Sequence, residues 1–316
     1  TTTMNFTSGY QFSSWALNSS SYGTLSSTST NPTYFTPNTS SSSAIITATG
    51  KSSVIDYCAL NGVASANCMQ KMTSSNCTTT AKTVTDSRDG ETYKVQRLAD
   101  GKCWMLDNLR LDPANSTTLN NITASNTHAS ATTLNYFKNG GGATSDQYPT
   151  AKINNVAWTS NSQNYYSIPM TVSSGDGWTK DTVTTSYGAG SGKIGVYYNY
   201  CAASAGSYCY GNGTSARTSS GNATEDLCPS GWRMPTGNTS GEFQALYTAY
   251  SSNVSDFQTA LSTPLSGNFY SGSAVNQGSG GLWWSSTRYN NYSMYRLYVY
   301  ASDVNPAGSG SRSYGY

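Results

Sequence analysis

The chain is short of charge. Only 10% of its 316 residues are Asp, Glu, Lys or Arg, against roughly 25% in ordinary soluble domains. The cations are scattered with no basic block, which argues against a nucleic-acid surface. No apolar run approaches about 18 residues, so no segment is expected to span a membrane as a helix. The only histidine is His128 and there is no CxxC pair, which leaves zinc without its usual ligand spacing. Leu, Ile, Val and Phe are scarce as well. That shortage signals disorder only beside a high net charge, and the net charge here is +2. No signal peptide opens at Thr1, so the sequence reads as a mature chain or an excerpt of a longer one.

Ser, Thr, Asn, Gly and Tyr fill the deficit. The 25 tyrosines and seven tryptophans supply core area that aliphatic residues do not. A folded, loop-rich, mostly β chain is predicted. Seven cysteines recur at short range, as in "YCALNGVASANC" and "CAASAGSYC". Disulfides are the better reading, which implies an oxidising, extracytoplasmic place. No metal ligand set and no cofactor motif is expected.

Residues 1–50 read as a small all-β, stalk-like unit. "GYQFSSWAL" and "SAIITATG" are its strand candidates. The turn-rich stretch between them carries prolines, and the order resembles the small β-repeats strung along bacterial surface proteins. Residues 51–316 form the second predicted domain. In it "TVTDSRDGETYKVQRL" predicts a hairpin around Asp89-Gly90. "DGKCWMLDNLRL" then enters the core through Trp104, Met105, Leu106, Leu109 and Leu111. Residues 113–200 read as long loops pinned by rings such as Trp158, Tyr165, Tyr166, Trp178, Tyr197 and Tyr198, with His128 inert in a polar stretch. "GEFQALYTAY" has helical spacing at Phe243, Leu246, Tyr247 and Tyr250, with N-cap candidates from Thr236 to Ser240.

The chain closes on "YNNYSMYRLYVYASDVNPAGSGSRSYGY", in which seven of 28 residues are tyrosine. In "YRLYVY" alternation puts Tyr295, Leu297 and Val299 on one face, with Leu297 and Val299 the inward pair, and Arg296, Tyr298 and Tyr300 on the other, predicted exposed. Large rigid rings with polar tips, set among adaptable small polar residues, are the alphabet of antibody paratopes.

Three motifs occur in order: "TVTDSRDGETYKVQRLADGKCWMLDNLRL", "LCPSGWRMPT" with a helix behind it, and "WWSST…VNP…R…GY". Together they resemble the Fibrobacter succinogenes major paralogous domain over roughly residues 68–316. The resemblance implies an α+β, C-type-lectin-like fold with few helices, twisted strands and long loops. In that family the last strand runs on past "GY" to a cysteine, which would pair with Cys228. The remaining six, Cys58, Cys68, Cys77, Cys103, Cys201 and Cys209, would then form three disulfides: Cys201 with Cys209, and two of open connectivity among the first four.

Some lectin-fold proteins of this type are variable products of diversity-generating retroelements, altered near the C-terminus on the ligand-facing side. The resemblance implies such a region over 285–316. Its framework would be Leu297, Val299, Val304, Asn305, Arg312 and Gly315. Its ligand-binding positions would be Tyr289, Asn290, Asn291, Tyr292, Ser293, Arg296, Tyr298, Tyr300, Asp303, Ser309, Ser311, Ser313 and Tyr314, with Gly308 and Gly310 also open to variation. The expected function is a secreted or cell-surface adhesin or receptor. Its expected partners are a protein or glycan ligand on another surface and upstream repeats of the same protein. The competing reading is a self-assembling structural subunit of a filament or coat. A more remote one is an enzyme like the formylglycine-generating enzymes of the same superfamily. No calcium-lectin triplet (EPN, QPD or WND) is present.

Overall fold

The computed structural model describes residues 10–38, 44–52, 54–140, 153, 165–170, 195–207, 221–262, 265–270, 272–290 and 292–316. Trp158, Trp178, Cys209 and Asn291 lie outside the described residues. The chain divides into two compact units, Thr1–Ile55 and Asp56–Tyr316. The boundary falls five residues later than predicted because the last strand of the first unit runs on to Ser52.

In the first unit, β1 (Tyr10–Leu17) pairs antiparallel with β4 (Ile46–Ser52), and β2 (Gly23–Leu25) pairs with β3 (Phe35–Pro37). A unit this small has little apolar surface to bury. Among its described residues Trp15 is the buried hydrophobic one. The indole is buried, donates from Nε1 to the Thr30 carbonyl at 2.9 Å, and lies 5.3 Å from the Phe12 ring.

The second unit is mixed α and β. It opens with a short helix, α1 (Tyr57–Leu60), capped by Asp56, and is stapled by the disulfides Cys58–Cys68 and Cys77–Cys103. Cys201 is disulfide-bonded too, and Cys228 is a free thiol. Strands β5 (Lys82–Thr85), β6 (Thr92–Arg97) and β7 (Cys103–Met105) make one antiparallel sheet. After α2 (Ser116–Asn121) and α3 (Ala131–Asn139), β8 (Ser167–Pro169) pairs with β9 (Val196–Tyr198). The short helix α4 (Tyr200–Ala203) follows. Helices α5 (Glu242–Ala249) and α6 (Val254–Leu261) and the β10 (Asn268–Tyr270)–β11 (Ser273–Val275) hairpin precede the closing sheet of β12 (Gly280–Arg288), β13 (Ser293–Tyr300) and β14 (Asp303–Ser311). No described helix is long and apolar enough to cross a membrane.

Several sequence expectations hold. Helix α5 buries Phe243 and Leu246 and half-buries Tyr247 and Tyr250. Its N-cap is Gly241, one residue past the predicted candidates and without a side-chain cap bond; the Glu242 amide instead donates to Thr236 Oγ1 and the Thr236 amide to Glu242 Oε2, each at 3.0 Å. Burial alone would raise the Glu242 pKa. Hydrogen bonds from Arg233 and Lys102 outweigh it and hold the carboxyl at about 2. Leu297 and Val299 are buried with Phe257, Leu261 and Val304 between the closing sheet and these helices. Leu297→Ala should therefore cost about 2–5 kcal/mol in urea unfolding. A loss below about 1 kcal/mol would show that the β13 register is wrong.

Two expectations fail. Residues 113–200 are not all loop. Asn115 caps α2 at the amides of Thr117 and Thr118, and Ser130 caps α3 at Thr133 while Leu134 and Phe137 go into the core. The helical spacing of Leu134 and Phe137 was present in the sequence but diluted by polar neighbours. The second concerns the hairpin, which is present as β5–β6 but with a turn longer than Asp89-Gly90. The Asp86 amide bonds the Glu91 carbonyl at 2.8 Å, so residues 86–91 form one loop, and Gly90 takes φ +79° within it. The loop is long because Asp86 and Arg88 turn inward as an ion pair.

Candidate ligand-binding face

Strand β13 is the centre of the closing sheet, so its side chains alternate between two faces. The β13–β14 register pairs Ser293 with Ser311, Tyr295 with Ser309, Met294 with Gly310 and Arg296 with Gly308. Directly paired residues share a face. Ser293, Tyr295, Ser309 and Ser311 therefore lie on one side, and Met294, Arg296, Gly308 and Gly310 on the other. The candidate positions do not form one surface, as the sequence reading assumed.

The Arg296 side is packed largely against itself, although the buried Arg296 Nε has no hydrogen-bond partner. The Arg296 guanidinium sits 4.9 Å from the Tyr316 ring centroid and 5.9 Å from that of Tyr298, and its Nη1 donates to the Tyr316 hydroxyl. Tyr298 packs edge-on against Tyr300 at 5.2 Å and donates to Asp303 Oδ2 at 3.0 Å. Burial first, and then this bond, raise the Tyr298 pKa. Arg296, Tyr298 and Tyr300 are half-buried where full exposure was expected. They cover glycines: a Cβ at Gly308 would meet Tyr298 at 3.0 Å, one at Gly310 would meet Arg296 at 3.0 Å, and one at Gly280 would meet Tyr300 at 2.8 Å. A side chain at Gly308 or Gly310 would need these neighbours to give way. Tyr314 is half-buried against Tyr270, with ring centroids 4.7 Å apart.

The other side is more open. Strands β12 and β13 are joined by a hairpin tip in which Tyr289 is 54% and Tyr292 74% exposed. Asn290 is exposed, and its Oδ1 accepts the amides of Tyr292 at 2.8 Å and Ser293 at 2.9 Å, which shapes the tip. Tyr289 packs edge-on against Tyr295 at 5.2 Å. Ser309 is exposed, and Ser293, Tyr295 and Ser311 are half-buried beside it. Tyr295, which shares a face with Leu297 and Val299 by alternation, belongs to this patch. Leu297 and Val299 lie beyond it under the helices. Ser313, predicted at the ligand, is buried, and its hydroxyl lies 2.8 Å from that of Ser311. Asp303 is exposed at the opposite end of the hairpin. Of the expected framework, Leu297, Val299, Val304, Arg312 and Gly315 are buried and Asn305 is half-buried.

Two polar clusters escaped the sequence reading. Arg88 and Asp86 are fully buried and paired at 2.6 Å. Arg88 also donates to the Leu227 carbonyl at 2.7 Å, and Asp86 accepts from Gln70 at 2.6 Å. The second cluster corrects the inert histidine: His128 Nδ1 lies 3.2 Å from Oδ2 of the buried Asp226. The nearby Asp226 carboxylate raises the His128 pKa above its ordinary 6.5 although partial burial opposes it. A raised folded-state pKa means that the pair stabilises the fold fully below 6.5 and that this contribution fades as pH climbs through the folded value. Stability should fall by about 0.5 kcal/mol over that rise, a figure discounted for solvent exposure. In His128→Gln the step should vanish from urea titrations.

Among the described residues the one cluster with metal-ligand types is Asp56, Cys58 and Cys68. Its two sulfurs are consumed in a disulfide. No protein-family model, curated protein or solved structure matches this chain.

Proposed function

We propose that the chain is a surface-displayed or secreted ligand-binding protein, an adhesin or receptor of C-type-lectin-like type. Its contact patch is the hairpin tip with the Tyr295 side of the closing sheet. The observation that carries this reading is the exposure of Tyr289 and Tyr292 at a tip shaped by Asn290, with Ser309 beside it. Exposed rings flanked by adaptable hydroxyls and amides are a recognition surface, and a core has no use for them. The disulfides support an oxidising compartment. The ordered motifs "LCPSGWRMPT" and "WWSST" support the resemblance to the major paralogous domain, and with it the retroelement-diversified reading of residues 285–316. The reactive thiol of a formylglycine-generating-like enzyme finds no support in Cys228: burial, and then Asp226, push its pKa well up and keep it protonated.

Capture from surface extracts of neighbouring cells tests the proposal, with and without EDTA. Wild type should retain a partner that the tip variant described in the Discussion does not, and EDTA should not release it. A structural subunit of a filament remains the second reading, favoured by the separate small β unit of residues 1–55. Size-exclusion chromatography separates the two, because a filament subunit polymerises where a receptor stays monomeric.

A further inference from the structure

The loop of residues 86–91 carries Asp86, Asp89 and Glu91 against one cation, Arg88. Arg88 is tied to Asp86 at 2.6 Å, and Glu91 is paired with Arg110 at 3.0 Å. Two carboxylates remain, Asp89 and Asp112. Neither has an ion pair of its own among the described residues. Asp89 Oδ1 accepts the Glu91 amide at 3.1 Å, and Asp112 Oδ1 accepts the Ala114 amide at 3.2 Å. The described hydrogen bonds leave Oδ2 of each without a donor. Both residues line one cavity of about 220 Å³. Burial, and then the Asp86 charge, push the Asp89 carboxyl up to about 7 against the pull of Arg88. A carboxyl so far above its ordinary value sits in a negative, poorly hydrated place, where an incoming cation is attracted more strongly than in water.

Arg110 also lines the cavity but does not offset the excess. Its Nε meets Glu91, its Nη2 donates to the Thr92 carbonyl, and its guanidinium lies 4.5 Å from the Tyr93 ring centroid. A bare divalent ion needs several oxygens around one centre. Among the described residues no three of these carboxylates bring oxygens within 4.8 Å of one another. A positive group that hydrogen-bonds over a longer span does fit. The mouth of the cavity carries the exposed Asn115 and Thr117 beside Thr118, with Tyr57 as the aromatic residue of the lining. Amides and hydroxyls suit a hydroxylated body and not an aliphatic stem. The volume is below the ~300 Å³ of drug-sized sites, which limits the occupant to about one ring. We infer that this cavity binds an amino sugar, its ammonium between Asp89 and Asp112 and its hydroxyls toward Asn115, Thr117 and Thr118. The cavity shares no residue with the tyrosine tip, and the inference does not rest on the function proposed for that tip.

Isothermal titration calorimetry of the full chain with glucosamine at pH 7 tests this, with N-acetylglucosamine, the same ring without the charge, as the neutral counterpart. Glucosamine should bind saturably, and N-acetylglucosamine about tenfold or more weaker. Added salt should weaken glucosamine binding. Asp89→Asn and Asp112→Asn each keep an oxygen for the local amide and remove one charge. Each should weaken glucosamine by about tenfold. Asp89→Asn should do so without lowering the urea midpoint, because the charge it removes is disfavoured by burial and by Asp86. Tyr289→Ser with Tyr292→Ser should bind glucosamine as wild type does, whatever that variant does in partner capture. N-acetylglucosamine binding as tightly as glucosamine would overturn the inference in favour of a merely polar pocket. So would wild-type affinity in either carboxamide variant. Tighter binding of Nα-acetyl-lysinamide than of glucosamine would overturn the sugar and reassign the cavity to a lysine side chain. Absence of saturable glucosamine binding would overturn it outright.

Discussion

Arg88→Met should lower the unfolding free energy by about 3–5 kcal/mol, the cost of breaking a buried ion pair by removing one partner. Arg88 and Asp86 are both shut off from solvent, and the guanidinium holds the carboxylate through three contacts between 2.6 and 3.1 Å. Burial alone would lower the Arg88 pKa, but Asp86 outweighs it and holds the charge in place. Removing the cation leaves Asp86 with the Gln70 amide as its remaining side-chain donor among the described hydrogen bonds. It also frees the Leu227 carbonyl, which Arg88 reaches across 139 residues of sequence. Equilibrium unfolding in urea measures the loss. The double variant Arg88→Met with Asp86→Asn should recover part of it, because the stranded charge is gone. A single-variant loss below about 1 kcal/mol would mean that the pair is hydrated in solution.

Replacing Tyr289 and Tyr292 with serine should weaken partner capture by roughly a thousandfold, since aromatic anchors at hot spots commonly contribute ~2 kcal/mol each. Both rings are more than half exposed, so stability should stay within about 1 kcal/mol of wild type. The matched control is Tyr298→Ser with Tyr300→Ser. Those rings cover Gly308 and Gly280 on the opposite side of the sheet. That variant should bind as wild type does while losing about 1–2 kcal/mol of stability, from edge-to-face packing and cross-strand contact. Binding is read by capture and stability by urea. If the control loses capture and the tip variant keeps it, the contact patch belongs on the Arg296 side.

Local patterns were legible in the chain. Period-two alternation marked Leu297 and Val299 as inward, because a strand has only two faces and apolar residues take the dry one. The spacing of Phe243 and Leu246 marked α5, since one helical turn brings them onto the same stripe. Short-range cysteine recurrence marked the disulfide-bonded segment. In each case the cause acts over a few residues. The absence of long apolar runs likewise marked that no described helix could cross a membrane.

What the tertiary structure decided depended on partners far along the chain. Arg88 in "SRDG" looked like a turn residue, and its burial follows from Leu227 and Gln70 arriving beside it. His128 looked inert until Asp226 came within 3.2 Å. Tyr298 and Tyr300 alternate outward from the helices, but glycines on the neighbouring strands let them lie down across the sheet. Tyr295 alternates toward the helices yet stands beyond their reach, beside Tyr289. Alternation names the face a side chain leaves from. Whether that face is covered depends on which segments the fold lays over it, and residues a hundred or more positions away settle that.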